Sequence, residues 1–566
     1  MRTRSELLTR LRARGAPDIV IIGGGINGVG IYRDLAAQGI PALLVDAGDF
    51  SSGTSAAPSR LIHGGLRYLE TGETALVRES LLERDRLLHN ARHMVYPQPV
   101  WIPLKSYLAG SFDAALRFFK LKKTPGRKGA LPVALGLRFY DIFGRKTRVM
   151  PKHRIISAAK ARAAMPSLAP DVIMVGEFHD ARISHPERLV LELIADAEAD
   201  CPDAMALPYL AAGKQSGGTL TLTDRERGEE ITVTPKIVVN AAGAWVDQVQ
   251  SGLGFSGRLM GGTRGTHLVI GNPALLAELK GRMLYFETKD FRACLALPLD
   301  ADHVYVGTTD IRTDDPDDTR YTEAEVDYIF DVLRPVLPKV LWRREDVVFV
   351  MAGIRPLPFQ DNKVGAAGAI SRDHRIDHFA RTTDRPFETF TLVGGKWTTY
   401  RALAEEAVDD VLKHLGKPRV KGTGDTPIGG AKDLPTPPSK RAEWTRALAA
   451  ETGVSPARCG DLVARYGSGA QAFAKAEAGD NRRFEALDGY TPAEIGLICQ
   501  TERVSRLEDI VLRRTLMGFE GRTSRAALED VAAVAADALK WSDDRRDSEV
   551  QSVISTLKDT HMVPGL

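Results

Sequence analysis

The stretch IVIIGGGINGVGIYRDLAAQGIPALLVD, residues 19–46, decides the fold. Its β-branched run Ile19-Val20-Ile21-Ile22 reads as a buried parallel strand, and the residues after the glycines, through Ala37, read as a helix. Gly23 permits the tight turn between them, Gly25 lets backbone approach a pyrophosphate, and Gly28 lets the helix pack on the strand. A second strand, Pro41 to Val45, ends at Asp46, eighteen positions after Gly28, where a carboxylate that binds a ribose is expected. A glycine triplet alone would be weak. Strand, turn, helix, strand and terminal acid in this order specify a dinucleotide-binding unit, with the helix N-terminus facing phosphate.

Directly downstream lies SRLIHGGLRYLE, residues 59–70. Gly64 and Gly65 allow a flat ring to approach, and an unperturbed imidazole such as His63 titrates near neutrality, so it can accept a hydroxyl proton. Two later segments repeat the strand-then-small-residue logic. Ile237 to Asn240 runs into Ala241-Ala242-Gly243-Ala244-Trp245, and Phe390 to Val393 runs into Gly394-Gly395-Lys396-Trp397-Thr398-Thr399. Thr219–Thr223 and Glu230–Thr234 read as a hairpin, and His267–Ile270, Ala293–Leu297 and His303–Gly307 as strands of a mostly antiparallel second domain. Arg355, held extended by the following Pro356, and Arg372 would make a fork for a phosphate or carboxylate if both entered one cleft.

The chain has 566 residues, which favours two to four domains. Lysine plus arginine is 76 against 73 acids, so the net charge of +3 gives no argument for a nucleic-acid partner. Cys201, Cys294, Cys459 and Cys499 are far apart, which argues against a zinc site or disulfide framework and fits a reducing cytosolic setting. No run is long and apolar enough for a spanning helix. The leader, Met1 to Arg14, spaces Leu7, Leu8 and Leu11 among arginines, as either a solvated tail or a membrane-surface helix would. Residues 424–440 are rich in proline and glycine and read as a linker. Beyond it, Ala442–Ala450, Ala457–Tyr466, Glu502–Thr515 and Arg525–Trp541 have helical periodicity.

The segments GGGINGVGIYRDLAAQG, SRLIHGGLRYLE, VNAAGAWVD, GTTD (307–310), GIRPL (353–357), ISRDH (370–374) and GGKWTTYR (394–401) resemble, in order, those of the FAD-dependent glycerol-3-phosphate dehydrogenases of respiratory, aerobic type. The resemblance covers Asp18 to the C-terminus. It implies an α/β fold in which a glutathione-reductase-like FAD-binding Rossmann domain (pieces 18–95, 150–255 and 353–425) interleaves with a mixed, mostly antiparallel substrate domain (96–149 and 256–352). A linker at 426–440 and a C-terminal helical cap domain at 441–566 follow. FAD is expected on Gly23, Gly25, Gly28 and Asp46, with Thr54 and Ser55 near the pyrophosphate and Ala242, Gly243, Trp397 and Thr398 near the flavin. The substrate, sn-glycerol 3-phosphate, is expected on Arg67, Tyr68, Arg355, Arg372 and Lys396, the phosphate falling to Arg355 and Arg372. Of the residues expected at the reaction itself, His63, His267, Arg67 and Lys396, His63 is the first choice of base and His267 the second. The hydride would pass from C2 to flavin N5, giving dihydroxyacetone phosphate.

Two positions depart from the family pattern: Arg60 stands where lysine is common, and Trp397 where leucine is common. By family analogy the acceptor is a quinone, reached from the cytoplasmic membrane face, and the protein a homodimer. Residues 111–123 could contribute an amphipathic surface helix. The alternatives are an oxidase of the same family that makes hydrogen peroxide, an FAD enzyme for amino or 2-hydroxy acids, and a non-catalytic flavoprotein.

Overall fold

The strands Ile19–Ile22, Ala42–Val45 and Ile237–Asn240 are buried along their whole length, as β-branched strands covered on both faces must be. In the computed structural model, which describes residues 1–66, 73–107, 129–143, 150–289, 292–360 and 374–566, they form the centre of a six-stranded sheet. Its order is Arg375–Phe379, Glu388–Val393, Ile237–Asn240, Ile19–Ile22, Ala42–Val45, Met205–Leu207. Every pairing is parallel except that of Arg375–Phe379 at one edge. The helices Ile26–Ala37, Pro186–Asp200 and Tyr400–Leu415 cover one face with one apolar cluster. The other face packs on the hairpin strands Leu210–Ser216, Thr219–Asp224 and Glu229–Val233.

The helix Arg4–Arg14 lies on that second face, which overturns both expectations for the leader. Leu7, Leu8 and Leu11 are buried against the sheet, and Arg4 Nη2 lies 2.7 Å from Asp224. Its apolar stripe is spent on the protein's own core, leaving nothing for a membrane.

The second sheet is antiparallel save for one parallel pairing, Met283 with Val100. It runs Ile311–Thr313, Met260–Gly271, His303–Gly307, Ala293–Pro298, Met283–Glu287, Val95–Leu104, Met174–Ile183, Leu61–Ile62, and Val347–Pro358 pairs along Met260–Gly271. The domain division from sequence needs correcting here. Residues 154–183 belong with this sheet rather than with the nucleotide domain, because Met174–Ile183 pairs with Val95–Leu104 along its full length and Arg154–Ser157 adds to its edge.

The C-terminal region is helical, and it packs on the back of the second sheet within one shared core. Phe519 lies 5.4 Å from Tyr305, and the His561 ring stacks on Phe349 at 4.3 Å. The expected Glu502–Thr515 helix is replaced by a short turn, Leu507–Asp509, and a π-turn, Ile510–Arg514. Arg503 has a positive φ, and the Asp509 carboxylate accepts the Ser505 and Arg506 amides, which ends any helix running in from Glu502.

Candidate active site

The glycines form the cradle their spacing implies. Gly23 has φ +113°, and a Cβ there would meet Ala241 O at 2.5 Å. At Gly25 a Cβ would stand 3.0 Å from Ser55 Oγ, and that hydroxyl accepts the Ile26 amide at 2.9 Å where the helix begins. Asp46 accepts the amides of Gly24 at 2.6 Å and Gly48 at 2.8 Å. Burial raises its carboxyl to about 6 against those two hydrogen bonds. A bare turn, a helix N-terminus without a side-chain cap from its own first residue, and a half-buried carboxylate between them fit the diphosphate and ribose of FAD.

The segment Thr54–Pro58 carries this cradle toward the second sheet. Thr54 donates to Ile354 O at 2.6 Å, and Tyr305 donates to Pro58 O at 3.2 Å. From the other side, Trp397 Nε1 donates to Ser55 O at 3.2 Å. The turn bearing Lys396, Trp397 and Thr398, with Gly394 and Gly395 at positive φ, therefore closes over the same hydroxyl loop. Ala242 and Gly243 follow the neighbouring strand, and the Ala242 amide donates to Asn240 Oδ1 at 3.3 Å. The Trp397 ring is thus fixed on the Thr54–Pro58 loop. Arg60, the other departure, is buried, donating to Ser184 O with its guanidinium 4.0 Å over Phe519.

On the second sheet, Arg355 faces across the strand pairing to Thr263 and lies over Gly265, whose missing side chain makes room for it. Its Nη1 donates to Asp310 Oδ1 at 3.1 Å, and its Nη2 to Thr308 Oγ1 at 2.9 Å and Thr309 O at 3.2 Å. The GTTD motif thus presets this guanidinium. Thr309 is anchored in turn: its hydroxyl and that of Thr266 both donate to the buried Glu325, at 2.8 and 2.7 Å.

His267 lies on the same strand, two residues beyond Gly265. It is 3 % exposed, its ring stacks on Tyr305 at 4.7 Å, and neither ring nitrogen has a hydrogen-bond partner among the described residues. Burial, and then the charge of Arg355, pushes the imidazole down to about 3, so it is neutral at physiological pH. His63 is half-buried at the end of Leu61–Ile62. The turn after it is tightly held: the Gly64 amide donates to Asp180 Oδ1 at 2.9 Å, and Tyr140 donates to the same oxygen at 3.0 Å. Arg67, Tyr68, Arg372 and residues 111–123 lie outside the described residues.

The sequence reading quoted GTTD as a motif without giving it a site role, and it missed Tyr305, Asp180 and Glu325 altogether. For the first, the motif was the available signal; the others are buried single residues in strands or helices, which no spacing marks. One further group, His378, Glu388 and His414, gathers its ligand-type atoms within 4.8 Å. It lies at the opposite end of Glu388–Val393 from the glycine turn, and Arg381 Nε stands 3.9 Å from the same carboxylate, where a metal ion would meet its charge.

A family model described as FAD dependent oxidoreductase matches residues 18–401, and one for the C-terminal domain of alpha-glycerophosphate oxidase matches 422–546. A glycerol-3-phosphate dehydrogenase of Synechocystis is 32 % identical, covering 95 % of both chains. A D-erythritol 1-phosphate dehydrogenase of Brucella abortus is 30 % identical over 88 % of this chain and 94 % of its own. The solved glycerol-3-phosphate dehydrogenase of Bacillus halodurans, complexed with FAD, superposes with a TM-score of 0.74 at 23 % identity, covering 98 % of this chain and 97 % of that one, which shows the common fold.

Proposed function

Because the chain belongs to the family of FAD-dependent glycerol-3-phosphate dehydrogenases, we propose that it oxidises sn-glycerol 3-phosphate to dihydroxyacetone phosphate between Arg355 and His267 and delivers the electrons to a quinone at a membrane surface. The observation that carries this reading is the imidazole of His267, neutral and with no hydrogen-bond partner among the described residues, set close to the preset guanidinium of Arg355 on the paired strand. A phosphorylated carbinol needs a fixed cation at one end and a proton acceptor at the other. When bound, FAD supplies the two-electron acceptor. Arg355 holds the phosphate, and His267 takes the proton from the C2 hydroxyl as the carbonyl forms. Tyr305 fixes the imidazole plane, and Lys396 at the glycine turn contributes charge beside the substrate.

Anaerobic bleaching of the flavin band tests the assignment. The wild type is expected to bleach with sn-glycerol 3-phosphate at far lower concentration than with D-erythritol 1-phosphate, the substrate named for the Brucella relative. Arg355→Lys should raise the half-saturating concentration about a hundredfold with FAD still bound, since a point charge replaces a bidentate fork. Release of FAD by that variant would mean that Arg355 serves the cofactor instead.

The membrane part of the reading is supported by the helix Ala130–Phe143. Leu131, Leu135, Phe139 and Ile142 are 44 to 52 % exposed and share one face, while Val133, Leu137 and Tyr140 on the other are buried. Among the described residues no helix is long and apolar enough to cross a membrane. An exposed apolar stripe rimmed by Arg138 suits a helix lying in the interface. Its inner face reaches the turn after His63 through Tyr140, Asp180 and the Gly64 amide.

A further inference from the structure

The loop Asp46–Ser51 is held from two directions. Toward the cofactor, Asp46 accepts the Gly24 amide and Ser51 returns its own amide to Gly24 O at 3.0 Å, so the loop and the glycine turn form one unit. Toward the C-terminal domain, Asp49 is fully buried and clamped by consecutive arginines of the π-turn. Its Oδ2 accepts Arg513 Nε at 2.7 Å and Arg514 Nη1 at 2.6 Å, and its Oδ1 accepts Arg514 Nη2 at 2.9 Å.

Neighbouring residues of an α-helix point about 100° apart and would face different partners. In the π-turn Ile510–Arg514 both guanidiniums reach one carboxylate. A second strut runs beside them. Tyr209 gives its amide to Gly48 O at 2.8 Å and its hydroxyl to Asp509 Oδ1 at 2.5 Å, and Arg513 Nη2 donates to that same oxygen at 2.7 Å. Arg514 also donates to Glu502 O at 3.0 Å, so the pair is anchored in its own domain.

Adhesion between two domains does not need such a joint. A buried ionic contact is no stronger than a well-packed apolar one of equal size, but it tolerates a single geometry. What it fixes here is the backbone three residues beyond the carboxylate that meets the ribose. We infer that the C-terminal helical domain is part of the FAD site, with Arg513 and Arg514 as positioning residues that hold Asp49, and through it Asp46 and the glycine turn, in cofactor-binding geometry. The inference rests on FAD as cofactor and is independent of the substrate.

The test measures FAD dissociation from the full-length holoprotein by dilution, read as the rise in free flavin fluorescence. Wild-type affinity is measured first, which keeps a failure of the cofactor assignment separate. Arg514→Met and Asp49→Asn are each expected to raise the FAD dissociation constant about tenfold or more, with Arg514→Lys between them and the wild type. Saturating FAD should then restore the wild-type visible spectrum and bleaching by sn-glycerol 3-phosphate, because the flavin end of the site is untouched. Unchanged FAD affinity in a folded variant would reduce the joint to domain adhesion, as would loss of FAD that excess cofactor does not reverse. If Arg514→Met does not fold, the near-isosteric Asp49→Asn decides on the same criteria.

Discussion

His267, the base proposed above, is held in its neutral form by where the fold places it. Burial, reinforced by Arg355, lowers the imidazole to about 3, so it is already deprotonated across the range in which an exposed histidine would be gaining its charge. At saturating substrate, the rate of flavin reduction should therefore change less than about twofold between pH 7.5 and 5.5, falling only as pH approaches the lowered value. His267→Asn, which keeps the volume and removes the base, should slow reduction by about a hundredfold or more with little change in substrate affinity. An acid limb near pH 6.5, lost in a His63 variant and kept in the His267 variant, would return the role to His63. Legibility at this scale followed spacing. Gly23, Gly25, Gly28 and Asp46 announce themselves because a phosphate cradle needs fixed residues at fixed intervals. His267 ranked second because a lone histidine in a strand shows neither its burial nor the Tyr305 ring beneath it, and both come from pairings between strands distant in sequence.

Among the elements, the two amphipathic helices show how periodicity under-determines a partner. Arg4–Arg14 and Ala130–Phe143 each carry an apolar stripe; the first is covered by the chain's own sheet, and the second is left exposed. Sequence shows that a face is apolar, while only the tertiary fold shows what covers it. The same limit applies at Glu502–Thr515, where helical periodicity suggests one continuous helix but the structure has a short turn and a π-turn, and the capping carboxylate of Asp509 that breaks the helix leaves no periodic mark. The exposed stripe yields a separable prediction. Leu135→Glu with Phe139→Glu places two charges on the outward face of the helix. Co-sedimentation with anionic vesicles and turnover with a membrane-borne quinone should each fall about tenfold, while anaerobic bleaching by substrate stays at the wild-type rate. Equal loss of bleaching would show that the helix serves the reaction through Tyr140 rather than the membrane.

At the scale of the whole molecule, the seam between the nucleotide and C-terminal domains is ionic. Besides Asp49, Glu226 lies 2.8 Å from Arg506 and 3.1 Å from Arg545, and Arg188 bonds Glu502 at 2.8 and 3.1 Å. The part of the seam's stability that Asp49 supplies must then depend on acid. Burial alone would raise its carboxyl, but Arg514 and Arg513 outweigh that and hold it below the ordinary carboxylate value. A carboxylate lowered in the folded state contributes its stability above the unfolded value, near 3.9, and loses it as pH falls through the folded one. Asp49→Asn leaves Arg514 facing a neutral amide in a buried site, a loss of about 3 kcal/mol at neutral pH. That deficit, read from the urea midpoint of the first unfolding transition, should be constant from pH 8 to 5 and shrink below about pH 4 as the wild type is protonated to match the variant. A deficit that persists undiminished at pH 3 would mean that the carboxylate's charge is not what joins the domains, and that the shape of the side chain alone seats the arginine pair.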